Sequence, residues 1–340
     1  MMLSAPDWRL AESTARRLVR PGPEVTVEEA VLAVESMRSA AGRARDLVTE
    51  VTGLEAQPVP VLVVDRPNWV TAAVAGFEDL LAPVVEATEG FGARMSAQVA
   101  GVETGALLAY LSRRILGQYD PYREPIGHLV LVAPNLVQAE RDLGADPADF
   151  RLWVALHEQT HVAQFTHGAA PWLRHHLRGR IATLVTVTEV DTELLTTVVR
   201  GVAAAARGRD GGGIELTDLV RSPEQKALVE EITAVMSLLE GHADVIMDEV
   251  GPRVIPSVAS IRSRFDQRRA RGGLDRVLRN VLGMDAKLRQ YRDGAAFCRE
   301  VLGRVGMPGL NRVFDSPETL PRLAEINDPA AWIDRVHPRA

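Results

Sequence analysis

The chain holds one cysteine in 340 residues, Cys298, so no intramolecular disulfide framework can brace it. A lone thiol fits a reducing compartment, and its place in the helix-compatible segment Phe297 to Leu302 reads as a buried structural group. Long apolar runs are also missing: no stretch approaches the ~18 residues that a membrane helix requires. Residues 1–20 interrupt their apolar positions with Asp7, Arg9, Glu12, Arg16, Arg17 and Arg20, unlike a secretory leader. The expected location is therefore the cytoplasm, with no membrane partner. Positive charge is not in excess, since the net charge is -6, and nucleic acid is not expected as a partner. Arg262, Arg264, Arg268, Arg269 and Arg271 do cluster around Asp266, but Phe265 is the one interleaved aromatic. That pattern reads as a solvated helix face ahead of a Gly272-Gly273 loop.

What is present is an ordinary globular composition, 46% apolar and 25% charged, with room for one large domain or two smaller ones. Within it, Leu156-His157-Glu158-Gln159-Thr160-His161 spells HExxH inside an apolar run that begins at Trp153. Five letters alone arise by chance in roughly one chain in a hundred of this length, so context decides. The context is helical: Asp146-Pro147 supplies an N-cap and first residue, and Phe150, Trp153, Val154, Leu156 and Val162 surround the motif with apolar side chains. On a helix, His157 and His161 project from one face a turn apart and can share one metal ion. Glu158, about 100° round, can instead reach a water on that ion as general base. Zn2+ is the expected cofactor.

A catalytic zinc site needs a third protein ligand. Glu240-Gly241-His242-Ala243-Asp244 begins 79 residues after His161 and places Glu240 and Asp244 on one helix face, with His242 turned away. Glu240 is the preferred ligand, with Asp244 accepting a hydrogen bond from a ligand histidine. His167 is the rival, six residues after His161 as in HExxHxxGxxH, although Gln164 stands where that pattern has its glycine. His242 is a weaker third choice. Tyr291 or His128 could stabilise an oxyanion, though either is more often structural.

The periodicity predicts helices over Val25 to Thr52 (Thr26 as N-cap, Gly53 as terminator), Asn68 to Glu86 with a kink at Pro83, Gly92 to Leu116, and Leu177 to Arg207. The second and third of these are expected to pack on one another. Pro171-Trp172-Leu173 reads as a turn and Gly211-Gly212-Gly213 as a loop. Ser222-Pro223-Glu224-Gln225 reads as a capping box opening a helix that Gly251-Pro252 should stop at Val250. Val59 to Val64 suggests an edge strand. The segment from Gly127 to Asn135 is the best strand candidate, either an edge that holds substrate by main-chain pairing or a plain core strand.

The residues Trp153 to Glu158, Gln164-Phe165, Pro171-Trp172-Leu173 and Glu240 to Asp244 resemble a family of zincin-type hydrolases, one described in association with deazaflavin-coenzyme biosynthesis. Lys287, Gln290-Tyr291, Gly294, Phe297, Leu320-Pro321, Asp328-Pro329 and Trp332-Ile333 extend the likeness. The resemblance implies an α+β, predominantly helical, zincin-like metallopeptidase fold with a small sheet. Residues 1–126 are expected to form an N-terminal, mainly helical region and 127–340 the metal-binding catalytic region. The expected function is zinc-dependent hydrolysis of a peptide or protein substrate. A metal-stabilised binding or scaffold protein without turnover stands as the alternative.

Overall fold

A computed structural model describes residues 3–86, 91–168, 171–187, 222–271 and 284–338. The fold is α+β and mostly helical, built around a small mixed sheet. Strand β1 (Leu3–Ser4) pairs with β3 (Val85–Glu86), while β2 (Val61–Val64), β4 (Gly117–Asp120) and β5 (His128–Val132) form the main sheet in the order β2-β5-β4. β2 runs parallel to β5, and β4 runs antiparallel to it. The sheet therefore joins chain from both sides of residue 126.

The best strand of the sequence is the central one. Leu129 to Val132 are buried, and the strand has partners along both edges, so the core reading holds. Pro134 neither ends the strand within its run nor marks an edge. It is the second residue of helix α5 (Ala133–Leu143), where its missing N–H has no partner to lose. The outer strand beside the HExxH helix is β4.

Alternation of side chains divides the sheet into two packed faces. Leu129, Leu131 and Tyr119 face the larger core, shared with α2 (Val27–Thr52) and α6 (Pro147–Thr166). Val130 and Val132 face the smaller one, with Trp69, Val70 and Val74 of α3 (Arg66–Leu81), Leu108 of α4 (Phe91–Leu111) and Ala15 of α1 (Trp8–Leu18). α3 ends at Leu81, before Pro83, instead of bending at it, because proline lacks the N–H that would carry the helical ladder on. α4 lies chiefly against α1: a Cβ at Gly101 would sit 2.7 Å from the Asp7 carbonyl, and one at Gly105 2.5 Å from that of Ala11. α3 and α4 meet only partly.

α2 follows its sequence closely. Thr26 and Glu29 form a reciprocal capping box, and Gly53 closes the helix at φ 69°. Its buried stripe, Ala33, Met37, Ala41, Ala44 and Val48, is mostly small, and this lets α6 come near enough for Gln159 Nε2 to donate to the Ala41 carbonyl (3.1 Å). α6 itself starts at Pro147 behind Asp146, whose carboxylate accepts from the Asp149 N–H. Pro171-Trp172-Leu173 is no turn; it opens helix α7 (Pro171–Val187), since a proline in the first helical position is already set at the right φ. The rest of the helix expected up to Arg207, and the triple-glycine loop, lie outside the described residues.

Ser222 and Gln225 cap α8 (Pro223–Val254) as their spacing predicts. The helix does not stop at Val250. It absorbs Pro252 in its last turn, and the Ile255 N–H closes it on the Gly251 carbonyl (2.8 Å). α9 (Val258–Arg271) carries the arginine cluster, and part of it is tied down: Arg264 donates to the carbonyls of Leu143 and Gly144, while Arg262 pairs with Asp244 and Asp248. The side chains of Asp266, Arg268, Arg269 and Arg271, and the glycine pair after them, lie outside the described residues.

α8 crosses α10 (Met284–Asn311) at backbone contact. A Cβ at Gly241 would stand 2.2 Å from the Gly294 carbonyl carbon, and one at Gly294 1.9 Å from the Ser237 carbonyl oxygen. Cys298 is buried beside this crossing and burial pushes its thiol pKa up, as suits a structural group. Two short helices, α11 (Leu323–Ile326) and α12 (Pro329–Val336), close the chain, with Trp332 fully buried against Phe297. Among the described residues no helix is long and apolar enough to cross a membrane.

The crossing gives a sharp contrast. Gly294→Ala must push two backbones apart and is expected to cost about 1–3 kcal/mol or more. Gly42→Ala, in an exposed part of α2 with nothing within 4 Å of a new Cβ, should stabilise by about 0.5–1 kcal/mol. Urea unfolding of the two variants, compared with the parent chain, checks both signs.

Candidate metal centre

The polar residues of HExxH sit in a helix that is buried on nearly every side: Leu156, Val162 and Ala163 are wholly inaccessible, and Glu158 is only 7% exposed. His157 and His161 stand at the rim of this burial. Their rings meet edge to face, with Nε2 of one 3.2 Å from Nε2 of the other. Glu240 comes across from α8 and places Oε2 3.5 Å from His157 Nε2. One ligand atom from each of the three residues lies within 4.8 Å of the other two.

These distances suit one cation. With bonds of about 2.0–2.1 Å and tetrahedral angles, zinc ligand atoms stand about 3.3 Å apart. Two imidazole nitrogens aimed at the same point, with a carboxylate beside them, form a donor set of the kind that holds zinc. All three side chains are only partly buried, so the cluster stays open to solvent on one side.

Glu158 lies against β4, close enough to His161 and Glu240 to feel both charges. Hydrogen-bonded pairs alternate along β4 and β5, and the bond from the Val132 N–H to the Leu116 carbonyl puts Gly117 and Tyr119 in the outward-pointing positions. The Tyr119 N–H donates to the Glu158 carboxylate. Gly117 makes room for it, since a Cβ there would fall 2.7 Å from Glu158 Cγ. Burial raises the Glu158 pKa to about 7, and the nearby Glu240 pushes it the same way; His161 and the Tyr119 N–H pull it down. A cation in the cluster would lower it further.

The other expected site residues separate clearly. His167 caps the C-terminus of α6, and its ring packs on Phe314, outside the cluster. His242 is fully buried, packs on the same Phe314, and burial lowers its pKa to about 3. Asp244 does not accept a hydrogen bond from a ligand histidine. Its two oxygens are taken by the guanidinium groups of Arg262 and Arg299, which it shares with Asp248 one turn on. His128 shares a sheet face with its cross-strand partner Asp120 and with Val130, the face opposite α6, so it cannot reach the cluster. The Tyr291 side chain lies outside the described residues.

Sequence reasoning missed the role of Gln164, which it read as a replaced glycine and as part of the family likeness. The side chain is wholly buried: Oε1 lies 2.9 Å from His161 Nδ1, and Nε2 reaches the Leu239 carbonyl (2.8 Å) and His242 Nδ1 (3.0 Å). The available signal was an amide one turn past the second histidine in an otherwise apolar stretch. Gly117 was missed as well, and no signal in its neighbourhood marks it.

The sequence profile of the zincin-like metallopeptidase family matches residues 7–333. The chain belongs to that family. The crystal structure of a protein from Chloroflexus aurantiacus, described as "a putative hydrolase with a novel fold", superposes with a TM-score of 0.71 at 30% sequence identity. The match covers 98% of this chain and all of that one. No curated protein matches. A zincin-like metallopeptidase of this kind is a metal-dependent hydrolase by family, which agrees with the donor set at His157, His161 and Glu240.

For this zincin-like chain, metal analysis after dialysis is expected to find ~1 equivalent of divalent cation, as a single tetrahedral site requires. His157→Ala and Glu240→Ala should lose it, while His167→Ala should keep it. Retention in the Glu240 variant would remove that carboxylate from the ligand set.

Proposed function

We propose that the protein is a zinc-dependent metallopeptidase in which His157, His161 and Glu240 hold Zn2+ and Glu158 is the general base. The observation that supports this most directly is the convergence of three ligand atoms within 4.8 Å, with a buried carboxylate on the next residue of the same helix. When bound, such a cation acts as a Lewis acid that acidifies water and polarises a carbonyl. The chain's own contribution is proton transfer: Glu158 takes a proton from the attacking water and returns it to the nitrogen of the leaving amine. Its carboxylate is held for this by the Tyr119 N–H on one side and the space above Gly117 on the other.

An extended peptide is the substrate that suits the surroundings. β4 is the outer strand next to α6, and the outward-facing backbone of Gly117 can pair with a peptide main chain. The scaffold alternative is less well supported. Among the described residues the cluster offers three ligand atoms, whereas a structural zinc site commonly takes four from protein. The single, buried Cys298 is consistent with the cytoplasm as the working compartment. The deazaflavin association that comes with the family resemblance plays no part in the proposal.

Two variants test the reading. Glu158→Gln should keep its metal and lose about 10²–10⁴-fold in turnover of any peptide found by a broad library screen. Gly117→Ala should displace the Glu158 side chain and also lower turnover, again with metal retained. Full activity in Glu158→Gln would remove this residue from the chemistry, and a library left uncut by metal-loaded parent protein would favour the scaffold.

A further inference from the structure

Three hydrogen bonds meet on one side chain between the two helices that carry the candidate ligands. Gln164 belongs to α6, one turn beyond His161, and Leu239 belongs to α8, directly before Glu240. A backbone carbonyl can only accept, so the Leu239 oxygen 2.8 Å away must face the amide NH2 of Gln164. That fixes which way the amide lies. Oε1 is then the atom 2.9 Å from His161 Nδ1, and Nδ1 must carry the proton of that ring. The second N–H of the amide is directed at His242 Nδ1, 3.0 Å away, which accepts it as a bare nitrogen.

We infer that Gln164 is a positioning residue that locks His161 in the Nδ1–H tautomer and ties the His161 helix to the Glu240 helix. The inference deepens the metal-site reading above and rests on it for its purpose. With the proton held at Nδ1, the lone pair of His161 is left at Nε2, the atom that faces His157 Nε2 across 3.2 Å. A free histidine ring prefers the other tautomer, so the lock must come from a partner. The same amide fixes the spacing between His161 and the backbone that presents Glu240. His242, buried and without any cluster role, supplies the third point that holds the amide plane.

The test begins with metal-free wild-type protein at mildly alkaline pH. Long-range ¹H–¹⁵N correlation spectra report the tautomer of each histidine, with His161 assigned by its loss in His161→Asn. The expected result is a proton on Nδ1 of His161. In Gln164→Met, matched in size but unable to accept the bond, the Nε2–H form should appear, and Zn2+ affinity measured against a chromophoric chelator should fall ~10–100-fold. Gln164→Glu puts an oxygen back against the ring and should restore the Nδ1–H form. A wild-type His161 protonated at Nε2 overturns the inference without any variant. So does a folded Gln164→Met protein that keeps both the tautomer and an affinity within about twofold of the parent. A wild type that takes up no Zn2+ would overturn the hydrolase reading instead, and the tautomer would still judge Gln164.

Discussion

Burial of a polar helix governs this structure. α6 is enclosed by the sheet, by α2 and by α8, yet it carries Glu158, Gln159, Thr160, Gln164 and Thr166 inside that enclosure. Each must find a partner, because an unpaired buried polar group costs several times what a typical hydrogen bond contributes. Partners come from different places: the edge strand for Glu158, the Ala41 carbonyl for Gln159 Nε2, and the helix's own Leu156 and Val162 carbonyls for the two threonines, while Gln159 Oε1 is left without one among the described residues. Thr166 also accepts from the Gln57 N–H, and Gln164 reaches across to α8. The helix is therefore fixed in rotation by polar contacts on three sides. Two histidines on its remaining face can then stay in register without a rigid loop to hold them.

Delivering an acidic group to those histidines is a separate packing problem. Glu240 stands beside Gly241, the point at which α8 meets α10 with no side chain between the backbones. This contact sets the depth of α8 in the core. One residue further, His242 fills the buried side that Glu240 cannot occupy, so the helix turns its carboxylate outward to the cluster and its imidazole inward. Asp244 and Asp248 follow Glu240 one and two turns further along the helix, where Arg262 and Arg299 neutralise them. The acidic residues of α8 thus serve two ends, and helical spacing alone does not distinguish them.

That division shows what the sequence could and could not reveal. Local chemistry was readable: the caps at Thr26, Asp146 and Ser222, the terminator Gly53 and the facing pair His157 and His161 follow from the nearest few residues. Glu240 was reachable because a metal site needs a further ligand and its segment offers few. Asp244 was misjudged because its partners, Arg262 and Arg299, come from helices whose approach depends on tertiary packing. Gln164 and Gly117 were hidden for the same reason. One acts through a carbonyl 75 residues away, and the other through the absence of a side chain against Glu158. The prolines misled more gently, since Pro134, Pro171 and Pro252 are all accommodated within helix ends.

Charge explains why an amide, and not a carboxylate, stands behind His161. A divalent cation held by two neutral imidazoles and the Glu240 carboxylate would leave one positive charge, which an ionised Glu158 beside it would bring to zero. A carboxylate at position 164 would add a negative charge with no exposure to water, where ionised groups are costly without a matching partner. It would also face the Leu239 carbonyl oxygen with a second oxygen, repelling the helix that carries Glu240. The Gln164 amide meets both demands, accepting from the ring and donating to the neighbouring helix, with no net charge. The acidic pair at Asp244 and Asp248 can exist on α8 because Arg262 and Arg299 supply its counter-charges.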